Sequence, residues 1–90
     1  MYLKIKNMKS ARGNINKNQF EAIDHEGNRF FQSYDSIIAK VTSEGKVFLD
    51  PNYWDYSNTT AKYRNRFLGE KKQQTLDKIN SGEYTLTNLN

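Results

Sequence analysis

Residues 53–69, YWDYSNTTAKYRNRFLG, mark a change of pattern in this chain. Before them apolar residues recur in short alternating runs, and within them the recurrence becomes helical. Ser57 suits an N-cap, because its hydroxyl can accept from the backbone N–H of Thr59 or Thr60. Gly69 suits the left-handed position that closes a helix after Leu68. The spacing predicts a helix of about three turns over Asn58–Leu68.

On a wheel of about 100° per residue, Thr60, Ala61, Tyr63, Phe67 and Leu68 share one arc, opposite Lys62, Asn65 and Arg66. Arg64 breaks this division, falling between Thr60 and Leu68 in the middle of the apolar arc. A buried unpaired charge costs several kcal/mol, so a cation there either snorkels out or meets a carboxylate. Asp50 and Asp55 are the partners nearest in sequence. Either Arg64 ties the helix to the strand before it, or it stands at the rim of a groove and binds an anion.

Upstream, Tyr2–Met8 sets Leu3 and Ile5 against Lys4 and Lys6, the alternation of a half-buried strand. Residues 10–18, SARGNINKN, have the chemistry of a loop or wide hairpin. Gln19–Asp24 and Arg29–Tyr34 form a hairpin through His25, Glu26, Gly27 and Asn28. A second hairpin joins Ile37–Val41 to Lys46–Leu49 through a turn closing on Gly45. Asp50, Pro51 and Asn52 end the meander, since proline cannot donate to a ladder.

Downstream, Lys71–Asn80 reads as a second helix with Leu76 and Ile79 as its apolar pair, stopped at Ser81 and Gly82. Tyr84 and Leu86 alternate with Thr85 and Thr87, a closing strand expected beside the sheet edge near the N-terminus. The expected fold is α+β over residues 1–90 as one domain: an antiparallel meander of about five short strands, with two short helices on one face and the closing C-terminal strand. Phe30 and Phe31 are adjacent and must point to opposite faces, and the helices are expected to cover the ring that leaves the core side.

The hydrophobic share is 36%, and one Trp, six Tyr and five Phe supply the large rings a modest core needs. With no cysteine, a disulfide framework and a thiolate zinc site are both excluded. The longest aliphatic run, Ile37-Ile38-Ala39, falls far short of the ~18 residues of a membrane span. The expected location is the cytoplasm, away from membranes. His25, the single histidine, lies in a turn beside Asp24 and Glu26, which is no metal site. Without a Cys–His pair, a nucleophile elbow or a glycine-rich phosphate loop, the chain reads as non-enzymatic, with no cofactor.

Net charge is +4, unevenly placed. Lys4, Lys6, Lys9, Arg12 and Lys17 precede the first acid, and Lys62, Arg64, Arg66, Lys71 and Lys72 stand against Glu70 alone. If the two basic segments adjoin in space, they form a patch for phosphate or an acidic protein. The candidate binding residues are therefore Lys4, Lys6, Lys62, Arg64, Arg66, Lys71 and Lys72, together with Tyr53, Trp54 and Tyr56 as rings for stacking bases.

FQSYDSIIAKV, VFLDPNYWDYSNTTAKYRNRFLG and INSGEYTLTNLN resemble a small uncharacterised domain family found mainly in bacteriophages and mobile elements. The shared core is an aromatic-Asp-Tyr-Ser-x-Thr-Thr-x-Lys run, then Phe67-Leu68 and a closing Ser-Gly-x-Tyr-x-Leu. The resemblance covers roughly residues 30–90 and leaves the basic N-terminal segment outside. It implies a phage-type accessory protein and brings no catalytic residues. The leading expectation is a non-catalytic inhibitor of a bacterial host or defence protein, of the anti-CRISPR or another anti-defence type, with a nuclease effector as one such target. The alternatives are a small basic nucleic-acid-binding protein and a phage structural or assembly component; oligomeric state is open.

Overall fold

The computed structural model describes residues 2–90, and side chains from residue 4 onward. Its strands are β1 (Tyr2–Lys9), β2 (Ile15–Asp24), β3 (Arg29–Ser33), β4 (Ser36–Val41), β5 (Val47–Leu49) and β6 (Tyr84–Leu86). Helices α1 (Asn58–Leu68) and α2 (Lys72–Ser81) lie between β5 and β6. The strands form one sheet in sequence order, antiparallel from β1 to β5, with β6 parallel to β5. The fold is α+β, as the residue pattern predicts.

The closing strand lies at the opposite edge from the one expected. A parallel strand needs a long crossover, and α1 and α2 supply it between β5 and β6. Since the meander leaves β5 with an open side, the returning chain pairs there, and β1 keeps β2 as its one partner among the described residues. A second difference is that strand begins at Ile15 rather than Gln19. The turn shrinks to Ser10–Asn14, closed by Ser10 N–H to Asn14 O at 2.8 Å. Asn16 and Asn18 are turn-formers by propensity, but bonds from Asn16 Nδ2 to the Tyr63 hydroxyl (3.4 Å), from Asn7 Nδ2 to Lys17 O (3.2 Å) and from Tyr34 N–H to Asn18 O hold the segment extended.

Register sorts the two faces. Glu21, Phe31, Ala39 and Leu49 stand side by side across four strands, and Ala22, Phe30, Lys40 and Phe48 make the next row, on the other face. Irregular pairing after Phe31 also turns Ile38 inward. The core joins Met8, Phe31, Ile38, Ala39 and Leu49 to Tyr63, Phe67 and Tyr84, with the Phe31 and Phe67 rings stacked at 5.8 Å. The helices thus cover Phe31. Phe30 is not under them as expected: it is half-buried on the far face, with the Lys40 ammonium 5.6 Å from its ring centre.

On the edge strand β1 the expected alternation is inverted. Ile5 pairs with Ala22 on the far face and is 60% exposed, whereas Lys6 stands beside Glu21 on the helix side, beyond the helices' cover. Met8, two residues beyond Lys6 on the same face, reaches the core. The inward role expected of Leu3 lies outside the described side chains.

The caps of α1 are those the residues predict. Ser57 Oγ accepts from Thr60 N–H at 3.1 Å, and Gly69, at φ 70°, donates to Asn65 O at 2.8 Å. Ser57→Ala is expected to cost about 1 kcal/mol and to lower the thermal midpoint by roughly 4–8 °C, read by circular dichroism.

In α2 the fully buried residue is Thr75, with Leu76 and Ile79 half-buried. Thr75 Oγ1 donates to Glu70, which also accepts from Lys78 Nζ at 2.8 Å and the Tyr84 hydroxyl at 2.8 Å. One carboxylate therefore joins the end of α1, the middle of α2 and β6. Asp50 performs the same service for the C-terminal segment. It accepts from Asn52 N–H (2.9 Å), Leu89 N–H (2.9 Å) and Asn90 Nδ2 (3.0 Å), and Asn90 in turn brackets the Ile37 backbone.

Candidate functional site

Arg64 is 0% exposed, which takes it out of any partner's reach and corrects its place among the binding candidates. Its Nη1 donates to Trp54 O at 2.6 Å and Asp55 Oδ1 at 3.2 Å, its Nη2 to Asn65 Oδ1 at 3.0 Å. Its guanidinium lies 5.1 Å from the Trp54 ring centre. Of the two candidate partners the structure uses Asp55, because Asp50 is committed to the C-terminal segment. The bridge ties α1 to the turn preceding it rather than to β5. Burial acts to raise the Asp55 pKa, but bonds from Lys72 and Arg64 outweigh it and hold it below its ordinary value.

Lys72 meets the same carboxylate at 2.8 Å, so Asp55 is shared between two cations. Lys71 is exposed as the N-cap of α2, its backbone N–H held by Gln74 Oε1 at 2.8 Å. Neither lysine joins the clefts described next. Trp54 and Tyr53 are half-buried and pack on the core, so part of each ring is covered.

What the fold does bring together is β1 and the last turn of α1. Lys6, Met8 and Lys9 from β1, Glu21 from β2 and Arg66 from α1 line an open cleft of about 640 Å³. Only Glu21 opposes the cations, and it is shared between Lys6 at 3.7 Å and Arg29 at 3.4 Å. Arg29 itself rests over the Phe67 ring at 4.7 Å. Among the described residues Lys9 and Arg66 form no ion pair, so their charge faces the cleft's surroundings. Lys4 precedes Lys6 by one same-face step on β1, and Lys62 precedes Arg66 by one turn of α1; both are exposed.

At the other end of α1, Tyr34, Asp35, Tyr53 and Tyr56 surround a second cleft of about 430 Å³, with Ser33 and Thr60 among its lining. Ser33 Oγ and Thr60 Oγ1 bond to each other at 2.9 Å. Tyr34 is 53% exposed and Tyr56 69%, and the Tyr53 and Tyr56 rings touch at 5.7 Å. Tyr34 and Asp35 make the two-residue turn between β3 and β4. Tyr34 holds φ 53°, the one positive value for a non-glycine among the described residues. The first central position of such a turn favours glycine, and a bulky ring there costs of order 1 kcal/mol. Bonds from Tyr34 N–H to Asn18 O (2.7 Å) and from Gln32 Nε2 to Tyr34 O (2.7 Å) keep it in place.

The model of a family described as of unknown function, DUF8033, matches residues 3–83. The chain belongs to this family. The DUF8033 match takes in β1 and the basic N-terminal hairpin, which a resemblance drawn from residues 30–90 leaves outside. No curated protein and no solved structure matches this DUF8033 chain.

For this DUF8033 domain, then, Lys6 and Arg66 meet in one cleft flanked by Lys62, Lys4 lines an adjoining cleft of about 750 Å³ with Ile5, Lys6 and Arg29, and Tyr56 and Tyr53 belong to the tyrosine cleft. Lys9 and Tyr34 are lining residues absent from the sequence-based candidates. Lys9 was visible as part of a basic run; Tyr34 had no local signal beyond a missing turn glycine. Among the described residues no group of three or more His, Cys, Asp or Glu is placed to hold a metal ion. No helix is long and apolar enough to cross a membrane.

Proposed function

We propose that this protein is a non-catalytic binding protein that grips a nucleic-acid phosphate backbone in the cleft between β1 and α1. The observation carrying this is that Lys6, Lys9 and Arg66, from segments far apart in the chain, line one concave surface with Glu21 as its sole acid. A recessed cluster of one sign concentrates the potential more than scattered cations do, and a phosphate chain gains affinity by releasing its counterions there. In a phage-type accessory protein such a grip would act by blockade, withholding nucleic acid from a host or defence nuclease.

A second reading is supported by the free edge of β1 with the exposed Ile5 beside it. An open strand edge pairs readily with another chain, which suits direct docking on a bacterial host or defence protein, or assembly with a second copy.

Arg66→Ala and Lys9→Ala are each expected to weaken binding to random-sequence oligonucleotides about equally across sequences, and to reduce the salt slope by roughly one. Fluorescence anisotropy measures both. Unchanged affinity and slope in both variants would contradict the proposal, and capture of an acidic protein with no oligonucleotide binding would move the weight to the second reading.

A further inference from the structure

Building on the phosphate-gripping reading, we infer that the tyrosine cleft stacks unpaired bases, so that the ligand is a single strand running along α1 from Arg66 toward Tyr34 and Tyr56. The two clefts share elements. Thr60 lines one and Arg66 the other, on the same helix, and β2 contributes Glu21 to the basic cleft. Asn16 of β2 bonds to Tyr63 midway along α1, and the Asn18 carbonyl accepts from Tyr34 N–H. Lys17 lies between these two asparagines and is exposed, as is Lys62 on α1.

The lining of the tyrosine cleft differs in kind from the basic one. It presents ring faces and the carboxylate of Asp35, with no cation. A phosphate is repelled there, whereas a base offers an aromatic face to Tyr34 and Tyr56 and an N–H donor, the ring N3–H in thymine, to Asp35. A cationic peptide would suit the rings and the acid alone, but Lys17 and Lys62 on the adjoining elements oppose it. Alternation of cations for the backbone with exposed rings for the bases is the arrangement single-strand binding requires. The conformation of Tyr34 points the same way: a position made for glycine carries a half-exposed ring instead, held at φ 53°.

The test compares a fluorescent oligo-dT with a hairpin duplex of equal phosphate count, against the unsubstituted protein, Tyr34→Gly, Tyr56→Ala and Lys9→Ala. Tyr34→Gly is informative because glycine relaxes the backbone there, so thermal stability is expected to hold or rise. The expected result is a roughly tenfold loss of oligo-dT affinity in Tyr34→Gly or Tyr56→Ala with duplex affinity unchanged, while Lys9→Ala weakens both ligands. If the tyrosine variants bind oligo-dT as the unsubstituted protein does, and Lys9→Ala still weakens it, the inference is overturned and the phosphate grip stands. Binding of an oligo-arginine peptide that Tyr34→Gly abolishes, with oligo-dT affinity intact, would overturn it in favour of a cationic partner. No binding of either nucleic acid by the unsubstituted protein would overturn both.

Discussion

Arg64→Met is expected to lower the stability of the domain by about 3 kcal/mol while leaving nucleic-acid affinity of the folded protein unchanged. Methionine fills much of the space but donates no hydrogen bond. The Trp54 carbonyl and the Asn65 amide oxygen, both now bonded to the guanidinium, would lose that donor, and Asp55 would keep Lys72 alone. Bonds from a charged donor contribute about 1.5–3 kcal/mol, and stranding a buried acceptor costs about 1–3 kcal/mol more. Since Asp55 stays partly solvated, the lower part of that combined range applies. A loss of this size lowers the thermal midpoint of a domain this small by more than about 10 °C. A variant that melts like the unsubstituted protein but no longer binds would show Arg64 to be a ligand-contacting residue instead.

Glu70→Ala is expected to be comparably damaging, about 3 kcal/mol, because one truncation strands the buried Thr75 and Tyr84 hydroxyls together. The side chain of Glu70 is 6% exposed, so water cannot readily replace the lost acceptor. The same residue sets a pH dependence. Burial acts to raise its pKa, but bonds from Lys78, Thr75 and Tyr84 outweigh that and hold it below the ordinary 4.5. The folded state therefore binds its proton less readily than the unfolded state. The stabilisation is complete above about pH 4.5 and is lost as pH falls through the depressed folded value. Asp50 and Asp55, held below 3.8 by hydrogen bonds that outweigh burial, add to the same acid limb. Thermal midpoints measured from neutral pH down to about pH 3 should fall steeply below that threshold, and less steeply in Glu70→Ala. An equal acid slope in the variant would contradict the role given to Glu70.

The parts of this fold that were legible in the residues are those whose causes are local. The bounds of α1 follow from Ser57 and Gly69, which act within a few residues, and the wheel singled out Arg64 because periodicity needs no knowledge of the rest of the chain. The errors arise where distant segments decide. Propensity placed residues 15–18 in a loop or wide hairpin, but pairing of Ile15 with Lys9 and the bond from Asn16 to Tyr63 hold that segment extended. The edge chosen by β6 depends on the crossover through both helices, and the face taken by Ile5 on its register opposite Ala22.

The site divides in the same way. Counting charges located two basic segments, but only folding shows that Arg66 joins Lys6 and Lys9 while Lys72 turns to Asp55. Tyr53 and Trp54 look like stacking rings in a polar stretch, yet both are half-buried against the core, and the more exposed rings of the tyrosine cleft are Tyr56 and, from another turn, Tyr34. Glu70 reads as a lone acid among bases, and its partners are set by the return of β6.

The central claim is that a nucleic-acid backbone lies along the cations of β1 and α1. It is tested most directly by titrating a random single-stranded oligonucleotide across a salt series. Engagement of about three to five phosphates predicts that affinity falls roughly 20- to 100-fold between about 50 and 200 mM monovalent salt. Affinity that stays flat across that range, or no binding at its low end, would contradict it.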